Sequence, residues 1–216
     1  MKIEEHWPEF DAAEAQRFWL TAIDLCDLAA VGDATDPKMR NMLNHLSDRG
    51  HVPFVKSGKS RTAPRHYSLV SALMLRIILD LANEGRTYVY GTAVAKAAAE
   101  LMLESLNEAA DSFEQERNLE NTWIIHAGIA EDGCPKSITV HRGDSMPRPT
   151  GFHFSVVDLG YMIWRVCDLY ADRWRDDLQK RGIIEKPPPI EIGEDGYPIQ
   201  PEGRKARRDS NSGGSE

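Results

Sequence analysis

Between Asp36 and Tyr67 the chain carries seven basic residues, Lys38, Arg40, Arg49, Lys56, Lys59, Arg61 and Arg65, against two acidic ones, Asp36 and Asp48. The local balance is +5 within a 216-residue chain of formal net charge −8, which leaves −13 on the remainder. Side chains of this kind hold polyanions rather than break bonds. Lysine and arginine neutralise phosphates, and asparagine or arginine makes paired hydrogen bonds to base edges. Asn41, Asn44 and His45 are interleaved with them, so one segment has both the charge for a backbone and the amides for bases. A uniformly acidic surface would repel phosphate; segregated charge presents one attractive face and keeps the rest repulsive.

These residues need elements to place them. Asp36 as N-cap and Pro37 at the first helical position start a helix. Met39, Met42, Leu43 and Leu46 form its apolar stripe, Lys38, Arg40, Asn41, Asn44, His45 and Arg49 lie on other faces, and Gly50 ends it. His51 to Val55 is short and β-prone. Arg65 to Tyr67 pairs back on it across Ser57 to Pro64, giving a hairpin with a basic tip. Upstream, Ala12, Ala15, Phe18, Trp19, Ala22, Ile23, Leu25, Cys26 and Leu28 recur at helical spacing, with a break near Leu20 and Thr21, so one or two helices precede the turn VGDATDP. Downstream, Leu69, Leu73, Ile77 and Leu81, flanked by Val70, Met74 and Ile78, leave only a narrow polar stripe of Arg76, Asp80 and Asn83. That helix, capped by Ser68 and stopped by Gly85, is expected to pack on more than one side and to hold the basic segment on a rigid body.

Helix, turn, basic helix and hairpin with a basic tip is the order of a winged helix-turn-helix. The run Met39 to Ser68, MRNMLNHLSDRGHVPFVKSGKSRTAPRHYS, resembles winged helix-turn-helix regulators, in which a helix ending at a glycine leads into a wing that closes on an aromatic residue. RHYS, followed by an apolar helix and then EGRTYVYGTAVAKAA, resembles the MerR-type variant, where an Arg-Arg-Tyr-Ser wing precedes a helix, a glycine and a further helix. The resemblance implies double-stranded DNA as partner. The helix over 37–49 would enter the major groove and the wing over 56–65 would lie on the adjacent backbone. Arg40, Asn41 and Asn44 would read bases, Lys38, Lys59, Arg61 and Arg65 would hold backbone, and His45, Lys56 and Tyr67 complete the expected contacts.

The remainder reads as support. An alanine-rich helix is expected from Thr92 to about Arg117, with Val94, Ala98, Leu101, Leu106, Ala109 and Phe113 inward and Glu100, Glu104, Glu108 and Glu114 outward. WIIHA at 123–127 and SITVH at 137–141 flank Asp132-Gly133 as a two-stranded ribbon, with a third short strand over 152–156. Ser155 and Asp158 fit a capping box for a last helix, on which Leu159, Ile163, Val166, Tyr170, Trp174 and Leu178 form a seam with Val156. Tyr161, Trp164, Tyr170 and Trp174 suggest a homodimer contact. The tail from Glu185 lacks a core pattern. The expected class is mainly α with a small β component (α+β): a winged helix-turn-helix domain over 1–87, a helix, β-ribbon and helix region for dimerisation or partner binding over 88–184, and a disordered tail over 185–216.

Other chemistries are disfavoured. SGKS at 57–60 resembles the end of a phosphate-binding loop, but Pro53 stands where that loop needs a glycine. His126, Cys134, His141 and His153 fall near the ribbon without a recognised zinc spacing, and no metal, cofactor or nucleophile is expected. Three widely spaced cysteines, Cys26, Cys134 and Cys167, read as reduced thiols. No apolar run is long enough for a membrane span, and the N-terminus has no export core, so a cytoplasmic location is expected. The leading reading is a non-enzymatic, sequence-specific transcriptional regulator, similar to small MerR-like proteins of bacterial and prophage regulation. The alternative is a non-enzymatic adaptor that uses a winged fold for protein contacts.

Overall fold

Short polar side chains set where helices begin. Thr21 and Asp24 form a reciprocal capping box (Thr21 N to Asp24 Oδ2, 2.7 Å) at the start of α2 (Ala22–Ala29), after the short α1 (Ala12–Gln16). Asp36 accepts from Lys38 N at 3.0 Å and Pro37 follows it, opening α3 (Pro37–Asp48). Ser68 and Ser71 cap α4 (Leu69–Asn83) in the same reciprocal way. Each cap satisfies an amide that the first turn leaves without a helical partner.

In this computed structural model, residues 12–108, 121–143, 145 and 154–182 are described. The chain is mixed α and β. After α3 come β1 (Val55–Lys56) and β2 (Arg65–His66), an antiparallel hairpin with Val55 opposite His66, then α4, α5 (Tyr88–Glu108), β3 (Thr122–Ala127), β4 (Ser137–Arg142), β5 (Phe154–Asp158) and α6 (Leu159–Lys180). Residues 1–177 form one compact unit and 178–216 a second. The boundary expected at 87/88 falls inside the first unit, because α4 packs along α5 there. Gly91 permits this close approach: a Cβ at that position would lie 3.2 Å from Ile78 Cα.

Eleven of the fifteen residues of α4 are buried, as its nearly all-round apolar pattern requires. The core around it is continuous. It takes Leu25 and Leu28 from α2, Leu43 and Leu46 from α3, Val94 and Met102 from α5, Ile124 and Val157 from the sheet, and Ile163 and Val166 from α6. Each such Leu, Ile or Val contributes about 2 kcal/mol by leaving water.

Several expectations change. The alanine-rich helix starts at Tyr88, not Thr92, and 109–120 lie outside the described residues. The ribbon and the expected third strand form one three-stranded antiparallel sheet in the order β4-β3-β5, with the third strand running over Phe154–Asp158 rather than 152–156. Ser155 is no cap, since it pairs with His126 inside β5; Asp158 caps α6, accepting from Tyr161 N at 2.9 Å. The inner face of α6 covers its own chain: Tyr170 donates to Glu14 and meets the Trp19 ring edge-on at 5.5 Å, and Arg173 pairs with Asp24 and Asp27. Burial and the Glu14 carboxylate push the Tyr170 phenol far up, so that proton stays in place. Tyr161 is exposed, and the side chains of Trp164 and Trp174 lie outside the described residues, as does the tail from 185. No helix among the described residues is long and apolar enough to cross a membrane.

Candidate functional site

The turn between α2 and α3 is fixed by its own hydrogen bonds. Ala30 ends α2 in the left-handed region, and Asp33 accepts from Thr35 N at 2.7 Å and Thr35 Oγ1 at 2.6 Å. These bonds hold the Asp33 carboxyl below its usual value. Gly32, at φ +130°, has a backbone conformation that other residues rarely adopt, and a Cβ there would displace the Met39 methyl 2.9 Å away. Arg40 reaches back from α3 to donate to Ala34 O at 3.3 Å.

On α3, Leu43, Leu46 and Ser47 face the core. At 100° per residue, Asn41 lies near the middle of the opposite face, with Lys38 and His45 on one side and Asn44 on the other. Lys38, Arg40, Asn41 and His45 are exposed; Asn44 is half-buried.

Beside this face stands the hairpin. Ser57 N donates to Pro64 O at 3.0 Å and Ala63 N to Ser60 O at 3.1 Å, so the loop closes on itself, with Ser60 and Thr62 hydroxyls 3.0 Å apart. Lys56, Lys59 and Arg61 are exposed on it. Tyr67 extends β2 by a bridge to Leu20, its amide donating to Leu20 O at 2.9 Å, which ties the hairpin to the segment between α1 and α2.

Two expected contacts are corrected here. Tyr67 is 1% exposed, its hydroxyl 3.4 Å from Ser47 Oγ and its phenol raised chiefly by burial. It is a core residue and cannot meet an external phosphate. Arg65 is mostly covered. Its guanidinium lies over the Phe54 ring at 4.6 Å, donates to Asn44 O at 3.3 Å and pairs with Asp48 at 2.8 Å. It joins the hairpin to the end of α3 and offsets the one exposed carboxylate at that end. Arg65→Ala is expected to cost about 1 kcal/mol in stability, measured by chemical denaturation, while releasing the hairpin from α3.

Sequence reasoning passed over two cations as contacts. Arg49 is exposed just past α3, and Lys96 is exposed on α5; their charges, with that of His45, bear on His51. The only sign of Lys96 in the sequence is the four-residue spacing of Tyr88, Thr92 and Lys96, which puts them on one stripe of α5.

The histidines near the sheet do not gather. On β3 and β4, His126 and His141 point to opposite faces, since Trp123 is opposite His141 and His126 is opposite Ile138. His126 is fully buried, with Nδ1 3.0 Å from the Tyr90 hydroxyl. Cys134 sits in the β3–β4 turn, and His153 lies outside the described residues. No group of three potential metal ligands occurs among the described residues. Cys26 is a buried thiol pushed up to about 11, first by burial and then by Asp27 and Asp33.

The chain matches no known family model, and no curated protein matches it significantly.

Proposed function

We propose that this chain is a sequence-specific DNA-binding regulator, with a winged helix-turn-helix of the MerR-like kind built from α1 to α4. In this reading α2 and α3 are the two helices of the motif, the hairpin is its wing, and the Leu20–Tyr67 bridge supplies the third strand. Helix α3 enters the major groove, where Asn41 and Arg40 reach base edges and Asn44 reads from the side nearest the hairpin. Lys38, Lys56, Lys59 and Arg61 neutralise phosphates on either side. A second copy binding the other half-site would double these contacts, its pairing surface being separate from the covered face of α6.

One observation carries the reading. Arg17, Arg76, Arg173 and Arg175 each pair with a carboxylate, whereas Lys38, Lys56, Lys59 and Arg61 pair with none among the described residues; Arg40, held by Ala34 O, lies in the field of Asp33. A solvated acidic protein has ample carboxylate for its cations. Unpaired cations set on one rigid helix and the hairpin locked to it by Arg65 suit an external polyanion instead.

Binding to random-sequence duplex, followed by fluorescence anisotropy across a salt series, tests it. With four to five phosphate contacts, log K is expected to fall with log[salt] at a slope of about −4. Negligible, salt-independent binding would favour the adaptor. On a selected duplex, Asn41→Ala is expected to cost about 1–3 kcal/mol of discrimination while leaving random-duplex affinity nearly unchanged.

A further inference from the structure

Beyond the end of α3, two rows of side chains face each other. One row is His45 and Arg49, four residues apart, followed by His51. The other is Tyr88, Thr92 and Lys96 on α5. The Tyr88 ring lies between the two histidines, 6.5 Å from the His45 ring and 6.2 Å from that of His51. Thr92 Oγ1 donates to Tyr88 O at 2.7 Å, so its contact with His51 Nδ1, also 2.7 Å, must be one in which Nδ1–H donates. That fixes the tautomer and leaves His51 Nε2 as the nitrogen that gains or loses a proton.

Arg49 and Lys96 are exposed and have no carboxylate partner among the described residues. Asp48, the nearest acid on α3, is engaged by Arg65. On the far side, Lys96 also bears on Cys134 beside Asp132 in the β3–β4 turn, and exposed Glu100 follows Lys96 one turn along α5, so two acids lie toward Lys96 on the side away from His51. The corner thus holds two fixed cations and two imidazoles. Burial, Arg49, His45 and Lys96 keep His51 below its ordinary value, so it is neutral in the free protein near pH 7.

We propose that this corner of α3 and α5 is a proton-linked phosphate site, where a DNA backbone phosphate flanking the bases read by α3 binds Arg49 and Lys96 and is joined by protonated His51 beside His45. The inference rests on the DNA-binding reading and adds to it a contact outside the motif and a dependence on pH. A phosphate brings negative charge to a place where cations repel one another, so bound DNA favours the protonated His51 ring and binding takes up a proton. Affinity therefore rises as pH falls through the range between the free and bound values.

The experiment is duplex binding by the full chain at constant ionic strength from about pH 7.5 to about pH 5.5, with a duplex extending past the α3 site on both sides. Wild-type affinity is expected to rise about tenfold per pH unit in the steepest part of that range if one proton is taken up. H45Q/H51Q should flatten the profile, and Arg49→Ala and Lys96→Ala should each make the salt slope shallower by about 0.9. Proton NMR of the wild-type histidines needs no variant: His51 should titrate at higher pH with duplex than without it. A duplex-independent His51 titration, or an unchanged pH profile in H45Q/H51Q, overturns the site. Steep salt dependence with a flat pH profile overturns this inference alone, whereas absence of binding at every pH overturns the DNA-binding reading itself. Inorganic phosphate moving His51 as far as duplex does, at equal ionic strength, assigns the corner to a free anion and also overturns it.

Discussion

Replacing Lys59 and Arg61 together by alanine is expected to weaken binding to every duplex alike and to make the salt slope shallower by about 1.8, two phosphate contacts at 0.9 each. At moderate salt this corresponds to a loss of about one to two orders of magnitude in affinity. The effect should be uniform across sequences because a side chain on the backbone fixes position and carries no base information. Stability should change little, since both residues are exposed and the loop is closed by hydrogen bonds from Ser57 N to Pro64 O and from Ala63 N to Ser60 O rather than by its cations. Anisotropy titrations of both proteins at several salt concentrations decide the matter. Equal affinities and slopes would remove the hairpin from the interface.

The second large effect concerns pH and the buried His126. Burial, followed by the charge of Arg86, lowers its pKa from 6.5 to about 4. Tyr90, whose ring carries Arg86 at 5.0 Å and which feels the charge of Glu84, has its hydroxyl 3.0 Å from Nδ1, and Nε2 has no partner among the described residues. A depressed histidine pKa means that the fold prefers the neutral ring. Its contribution is complete above the unfolded value of 6.5 and is lost as pH falls toward about 4, where the folded form also takes the proton. Over that window the expected loss is about 3 kcal/mol. His126→Gln keeps a group able to hydrogen-bond Tyr90 and cannot take up the proton. Denaturant unfolding of both proteins isolates the effect, because their carboxylates are the same. The difference between them should grow in favour of the variant from pH 6.5 downward, and parallel pH profiles would count against it.

What could be read in advance was local. Asp36 with Pro37, Ser68, Gly50 and Gly85 mark helix ends through caps and left-handed turns that depend on a few neighbouring residues, and the helices start or stop there. The apolar coverage of α4 foretold burial on several sides. The hairpin followed from two β-prone runs around a polar loop. Misreadings arose where the outcome depends on distant partners. Whether Tyr67 points outward or into the core depends on Leu20 and Ser47, and whether His126 can meet His141 depends on the register of β3 against β4. Ser155 and Asp158 have capping-box spacing, but pairing with β3 takes Ser155 into a strand. The salt bridges of Arg173 to Asp24 and Asp27 span most of the chain and leave no periodic trace. In the candidate site, the composition of α3 and the hairpin was legible, while the pairing that occupies Arg65 and frees its neighbours was not.

Helix α4 gives the hairpin side and the sheet side of the first unit a common foundation. Cutting the chain after the residues that carry the basic face would strip α5 from Ile78 and uncover a wall of leucine and isoleucine. The half that carries the basic face is therefore not a detachable cassette. Its buried side chains and those of the sheet belong to one core, joined through this single helix.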